Sequence, residues 1–143
     1  MTKKYSLLEI NTDGGARGNP GPAAIGVYAS STGEKIFSLS ETIGETTNNV
    51  AEYTAVIRSM EEIIARKICT EKIKYILDSE LIVKQITGQY KVKQPHLQIL
   101  RQKIADLALS LQDSGQVETM LFTNVPREQN KVADKLVNEA LDR

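Results

Sequence analysis

The chain has 143 residues, 41% of them hydrophobic, which suffices for one buried core without disulfide or metal staples. Its 18 basic residues balance 18 acidic ones, so bulk attraction to a polyanion is not evident and any nucleic-acid role needs a local patch. A lone cysteine, Cys69, excludes an intramolecular disulfide and a cysteine zinc cage, and no apolar run approaches a signal peptide or a membrane span; a cytoplasmic protein is expected.

In chain order, residues 4–12, 23–31 and 34–43 read as three strands. The turns between them, 14–22 and 31–33, are short enough to imply an antiparallel meander. Over 48–67, Val50, Tyr53, Ile57, Met60 and Ile64 recur at helical spacing. Residues 73–77 form a short β-rich run, and 79–87 a short helix that stops near Gly88. Pro95 precedes a helix over 96–112, with Leu97, Leu100, Ile104, Leu107 and Leu111 on one stripe. A fifth strand over 117–123 and a last helix over 129–142 complete the order. The pattern βββαβααβα implies an α/β protein with a mixed sheet, a meander followed by strands joined through helical crossovers.

Most acids, such as Glu61, Glu62, Glu71 and Asp113, fall on solvated faces or in turns. Four do not. Asp13 closes the first strand, and Asp78 closes the run 73–77. Glu52 shares a helix face with Ala55, Val56, Ser59 and Ile63, and Asp134 borders the apolar face Ala133, Val137 and Leu141. Carboxylates beside a core are costly unless they are paired or bind a metal. Taken singly, each has a plainer explanation: a turn start for Asp13, a capping box between Asn49 and Glu52, a helix N-cap for Asp78 and a surface charge for Asp134. Together these need four separate accidents, whereas one metal site accounts for all four.

Each acid also lies in a distinctive stretch: TDGGARGNPGPAAIG (12–26), TTNNVAEY (46–53), LDSELIV (77–83) and VPREQNKVAD (125–134). Through these four blocks, in this order, the chain closely resembles type 1 ribonuclease H, the endonucleases that cut the RNA strand of RNA–DNA hybrids. The resemblance spans essentially the whole chain. It implies a ribonuclease H-like fold, a five-stranded mixed sheet in strand order 3-2-1-4-5 flanked by helices, with 1–143 as a single catalytic domain. It assigns Asp13, Glu52, Asp78 and Asp134 as the catalytic, metal-binding acids. Two Mg²⁺ ions are implied, with Mn²⁺ as a possible substitute, activating a water on one side of the scissile phosphate and stabilising the leaving 3′-oxygen on the other. Asp13 is expected between both ions, and the products are expected to carry 5′-phosphate and 3′-hydroxyl ends.

By the same resemblance, Gly14, Gly15, Asn19, Asn48 and Asn49 are expected to meet the substrate. Glycine backbone admits close approach, and an amide can both donate to and accept from the 2′-hydroxyl that marks RNA. Segment 89–103 carries Lys91, Lys93, Arg101 and Lys103 without an acid, with Tyr90 interleaved. It lies where the family handles substrate, as a short stub in place of the longer basic protrusion of some members. No separate hybrid-binding domain is expected. Lys91 and Lys93 are expected to contact the hybrid, with modest affinity that falls with salt.

Two departures stand out. Many members carry an auxiliary histidine where this chain has Asn124, and the only histidine, His96, is expected to be an ordinary helix-start residue. Glu80, two residues past Asp78, adds a negative charge where some relatives have an uncharged amide. A proofreading exonuclease of the same superfold would carry a second acid two residues after the first, where Gly15 stands. A non-catalytic binding module would have lost at least one of the four acids. The expected partner is an RNA–DNA hybrid, for a monomer with no membrane and no obligate protein partner. The sequence leaves open a broader nuclease that also cuts double-stranded RNA or RNA–DNA junctions, or a weakly active nucleic-acid-binding module.

Overall fold

A computed structural model describes residues 4–143. Strands β1 (Lys4–Ala16), β2 (Gly21–Ser31) and β3 (Glu34–Thr46) form the expected meander. Helix α1 (Asn48–Ala65) leads to β4 (Cys69–Leu77), and α2 (Glu80–Ile86) and α3 (Pro95–Asp113) lead to β5 (Val117–Asn124). One 3₁₀ turn (Arg127–Gln129) then precedes α4 (Lys131–Leu141). The sheet order is β3-β2-β1-β4-β5, as expected. Strand β2 is antiparallel to β1 and β3, while β4 runs parallel to β1 and β5 parallel to β4.

Several strand boundaries differ from the sequence-based expectation, because backbone pairing outweighs local composition. β1 does not close at Asp13: Gly14, Gly15 and Ala16 still pair with Ile25, Ala24 and Ala23. The turn shrinks accordingly, and Arg17 N–H donates to the Pro22 carbonyl at 2.8 Å. β4 begins at Cys69, before the apolar run, because Lys4 and Tyr5 of β1 already face Cys69 and Thr70 in the ladder. β3 continues to Thr46, paired with Gly21. Leaving these N–H and C=O groups unpaired would cost about as much as lost hydrogen bonds.

The helix starts also differ. Thr47 caps α1, its Oγ1 accepting from Val50 N–H at 3.2 Å, so the capping box of Asn49 with Glu52 does not form. Ser79, rather than Asp78, caps α2, its hydroxyl accepting from Ile82 N–H at 3.3 Å. Neither Glu52 nor Asp78 is consumed as a cap.

The main core lies on one face of the sheet. Tyr53, Val56, Met60 and Ile63 of α1 pack with Leu8 and Ile10 of β1, Ile25 and Val27 of β2, and Ile73 and Tyr75 of β4. Leu97, Ile104 and Leu111 join from α3. Full burial of such side chains is worth about 1.5–3 kcal/mol each, which makes the sheet a firm platform. Small residues serve the other face, where Ala24 of β2 meets Val137 and Ala140 of α4.

Candidate metal centre

Two glycines let helices lie directly on the strands beside Asp13. Gly14 is buried, and a Cβ there would overlap the Ala51 carbonyl and the Glu52 nitrogen. Its bare backbone thus admits α1 and carries Glu52 up to Asp13, while Gly14 also lines the acidic cleft where substrate approach is expected. Across the ladder, Asp13 pairs with Gly26, where a Cβ would overlap the Ala133 carbonyl and crowd Leu136 of α4. That close approach brings Asp134 beside the same strand. Asp78 follows the last residue of β4, and the register Asn11↔Ile76, continued two residues, sets it level with Asp13.

The result is a cluster of carboxylates from three elements. One oxygen each from Asp13, Glu52 and Asp78 lies within 4.8 Å of the others, and all three residues are half-buried. Asp134 stands outside this trio but lines the same cleft, with Gly15, Asn48, Arg127 and Asn138. Burial first, then the charges of Asp78, Glu52 and Asp134, push the Asp13 carboxyl up to about 8, although Gly14 N–H donates to its Oδ1 at 3.0 Å. Burial and the Asp78 charge likewise raise Glu52 to about 7, against a Ser79 hydrogen bond and the Arg127 charge. So much crowded negative charge fits an oxygen-liganded divalent cation, which would relieve the repulsion at its source.

The other expected site residues take varied places. Asn19 and Asn48 are exposed and linked: Asn48 N–H donates to Asn19 Oδ1 at 3.0 Å, and Asn48 Oδ1 accepts from Ala16 N–H at 2.8 Å. Asn49 is exposed on the first turn of α1. Asn124 is the exposed last residue of β5, paired with Leu77 immediately before Asp78. Lys91 and Lys93 are exposed between α2 and α3, away from the acidic cleft; Lys91 borders a separate cleft with Tyr90, Gln98 and Arg101.

Only part of the basic segment is available to a ligand. Arg101 Nε donates to the Gln85 carbonyl at 2.7 Å, and Lys103 lies 3.7 Å from Glu61. Glu80 turns to Lys84 at 2.6 Å, and Lys84 also sits over the Tyr90 ring at 5.0 Å. His96 is exposed at the start of α3.

Sequence reasoning missed two amides, Asn11 and Asn130, which bond to each other at 2.9 Å. Asn130 is fully buried and reaches Thr12, Asp78 and Asn11. Its partners lie up to 119 positions away, beyond any local pattern. Ser79, beside Asp78, was likewise not foreseen as a partner of Glu52.

A 3-2-1-4-5 mixed sheet with acids gathered between β1, β4 and α1 defines the class as a ribonuclease H-like fold built around an acidic centre. A family model described as reverse transcriptase-like matches residues 11–140. The structure of LC11-RNase H1 in complex with an RNA/DNA hybrid is 46% identical, with TM-score 0.86, and covers 94% of this chain and 96% of its own. That relative was isolated from compost by a metagenomic approach. RNase H1 from Halobacterium salinarum is 36% identical in its solved structure, with TM-score 0.85 and 96% and 98% of the two chains covered. The curated ribonuclease HI of that organism is 40% identical over 131 residues, 91% of this chain and 62% of its own length. A bifunctional protein of Mycobacterium tuberculosis is 36% identical over 135 residues, 93% of this chain and 35% of its own. The chain thus spans between about a third and three-fifths of these curated relatives. It belongs to the type 1 ribonuclease H family.

Proposed function

We propose that the protein is an endoribonuclease that hydrolyses the RNA strand of RNA–DNA hybrids, leaving 5′-phosphate and 3′-hydroxyl ends. The observation that carries this is the convergence of Asp13, Glu52 and Asp78 oxygens within 4.8 Å. Asp13, Glu52 and Asp78 would hold a divalent cation, Mg²⁺ or Mn²⁺, and Asp134 would help hold a second from its side of the cleft. Such a pair supplies Lewis-acid activation of the attacking water and stabilisation of the leaving oxygen.

The chain's own groups do the rest. Asn48 commits its Oδ1 to Ala16 N–H, so its amide N–H groups would be the donors offered to a 2′-hydroxyl or a phosphate. Asn19 fixes the first turn of α1 through Asn48 N–H, so substrate would meet a preset edge. Gly15 and Asn49 border that edge. Lys91 and Lys93, exposed between α2 and α3, would add non-specific phosphate attraction. Asn124 supplies no titrating group at the auxiliary position, so proton transfer there would fall to solvent. Residues 1–143 would act as one cytoplasmic catalytic domain and as a monomer.

The test uses end-labelled hybrid, duplex RNA and duplex DNA, each with Mg²⁺ or Mn²⁺. Cleavage confined to the RNA of the hybrid is expected. Equal cutting of duplex RNA would establish the broader specificity instead, and binding without cutting would establish a binding module.

A further inference from the structure

Asn130 has 0% exposure at the start of an otherwise apolar contact between α4 and the sheet, where Ala133 and Val137 also lie buried. An amide in that position is costly unless every polar group is matched. Here each one is. Nδ2 donates to the Thr12 carbonyl at 2.9 Å and to Asp78 Oδ2 at 3.3 Å, while Oδ1 accepts from Asn11 Nδ2 at 2.9 Å. An asparagine amide has two N–H donors and one carbonyl oxygen, so these three bonds permit only one orientation. A half-turn about its last bond would set oxygen against two acceptors and nitrogen against a donor.

The connections join parts of the acidic centre. Thr12 immediately precedes Asp13, and Asp78 is the acid from the neighbouring strand. We propose that Asn11 and Asn130 form a positioning relay: Asn11 fixes the amide of Asn130, and Asn130 holds Oδ2 of Asp78 so that its other oxygen faces the cation. The proposal rests on the metal centre described above. Neither asparagine touches substrate; both act through Asp78. Outer partners of ligating carboxylates tune metal affinity by roughly 10–100-fold when removed.

The informative substitution is Asn11→Asp, nearly the same shape but with an acceptor in place of the donor. It sets a carboxylate against Asn130 Oδ1 and drives that amide from its position. By charge alone, an added carboxylate near the centre would tighten cation binding. The relay requires the opposite, a loss of roughly 10-fold or more.

Mn²⁺ alone is titrated into the full chain and the free ion is counted by its electron paramagnetic resonance signal. Thermal midpoints in EDTA check the fold. Asn11→Leu, Asn130→Ala and the double variant complete a cycle: because Asn11 acts through Asn130, the double variant should bind Mn²⁺ no more weakly than Asn130→Ala. Should Asn130→Ala fail to fold, Asn11→Asp still decides. Wild type that holds Mn²⁺, with Asn11→Asp binding it as tightly or more tightly, overturns the relay alone. Wild type that holds no Mn²⁺ overturns the metal centre and the relay with it.

Discussion

Replacing Asp13 with Asn should make the metal-free protein more stable at pH 9 and leave it nearly unchanged at pH 4. In the folded chain the Asp13 carboxyl is raised from its ordinary 3.8 to about 8, by burial first and then by Asp78, Glu52 and Asp134. Between those values the folded protein keeps a proton that the unfolded chain has released. Stability therefore falls as pH rises through this window, by at most about 1.4 kcal/mol per pH unit, and the penalty is complete above pH 8. Below 3.8 both states are protonated and the penalty vanishes. Relaxation and water entry reduce the full value, leaving about 2–4 kcal/mol for the isosteric Asn to recover. In a chain of this size that corresponds to roughly 5–15 °C in thermal midpoint at pH 9. The substitution preserves the acceptor for Gly14 N–H, which donates to Asp13 Oδ1 at 3.0 Å, so little packing is lost. Thermal unfolding in EDTA at pH 4, 7 and 9 measures the effect. Added Mg²⁺ should then stabilise wild type and leave the variant behind. A variant no more stable at pH 9, or one whose advantage is the same at all three pH values, would refute the electrostatic account of the cluster.

Gly14→Ala should cost at least about 1–3 kcal/mol in urea unfolding, because the added methyl meets Ala51 and Glu52 backbone rather than a yielding side chain; an unchanged midpoint would show that α1 moves freely. The same variant should lose hybrid cleavage as Glu52 is displaced from Asp13. Lys91→Ala with Lys93→Ala should raise KM with little change in kcat and lower the salt slope of hybrid affinity by up to about one unit per lost phosphate contact. An unchanged slope would make both lysines ordinary solvated residues. Asn124→His should raise kcat at neutral pH and introduce an inflection near the histidine pKa, since only the imidazole exchanges a proton there; an identical pH–rate profile would remove position 124 from the mechanism.

The element order and the helical stripes were legible because their signals are local and repeated, whereas the strand order β3-β2-β1-β4-β5 was implied by the family resemblance. Tyr53, Ile57 and Met60 recur every three or four residues and are all buried, as are Leu97, Ile104 and Leu111. The acids were legible as a set because each stood where a carboxylate is costly. What sequence could not supply is which backbone groups find partners at a distance. Gly14 and Gly15 look like turn residues until β2 is seen to extend the ladder past Asp13. Thr47 and Ser79 take the caps that Asn49 and Asp78 compete for in the sequence. Arg101 counts as a cation in the basic segment, yet in the fold it donates to the Gln85 carbonyl. Asn11 and Asn130 gain meaning only when β1 and α4 meet, because nothing in either local stretch points to the other.

Anomalous scattering from Mn²⁺, in crystals of the protein bound to a hybrid with an uncleavable linkage, tests the metal centre most directly. The expected result is one strong peak among the Asp13, Glu52 and Asp78 carboxylates, with a second on the Asp134 side of the scissile phosphate. Manganese held elsewhere, with those three carboxylates bare beside a bound hybrid, would contradict it.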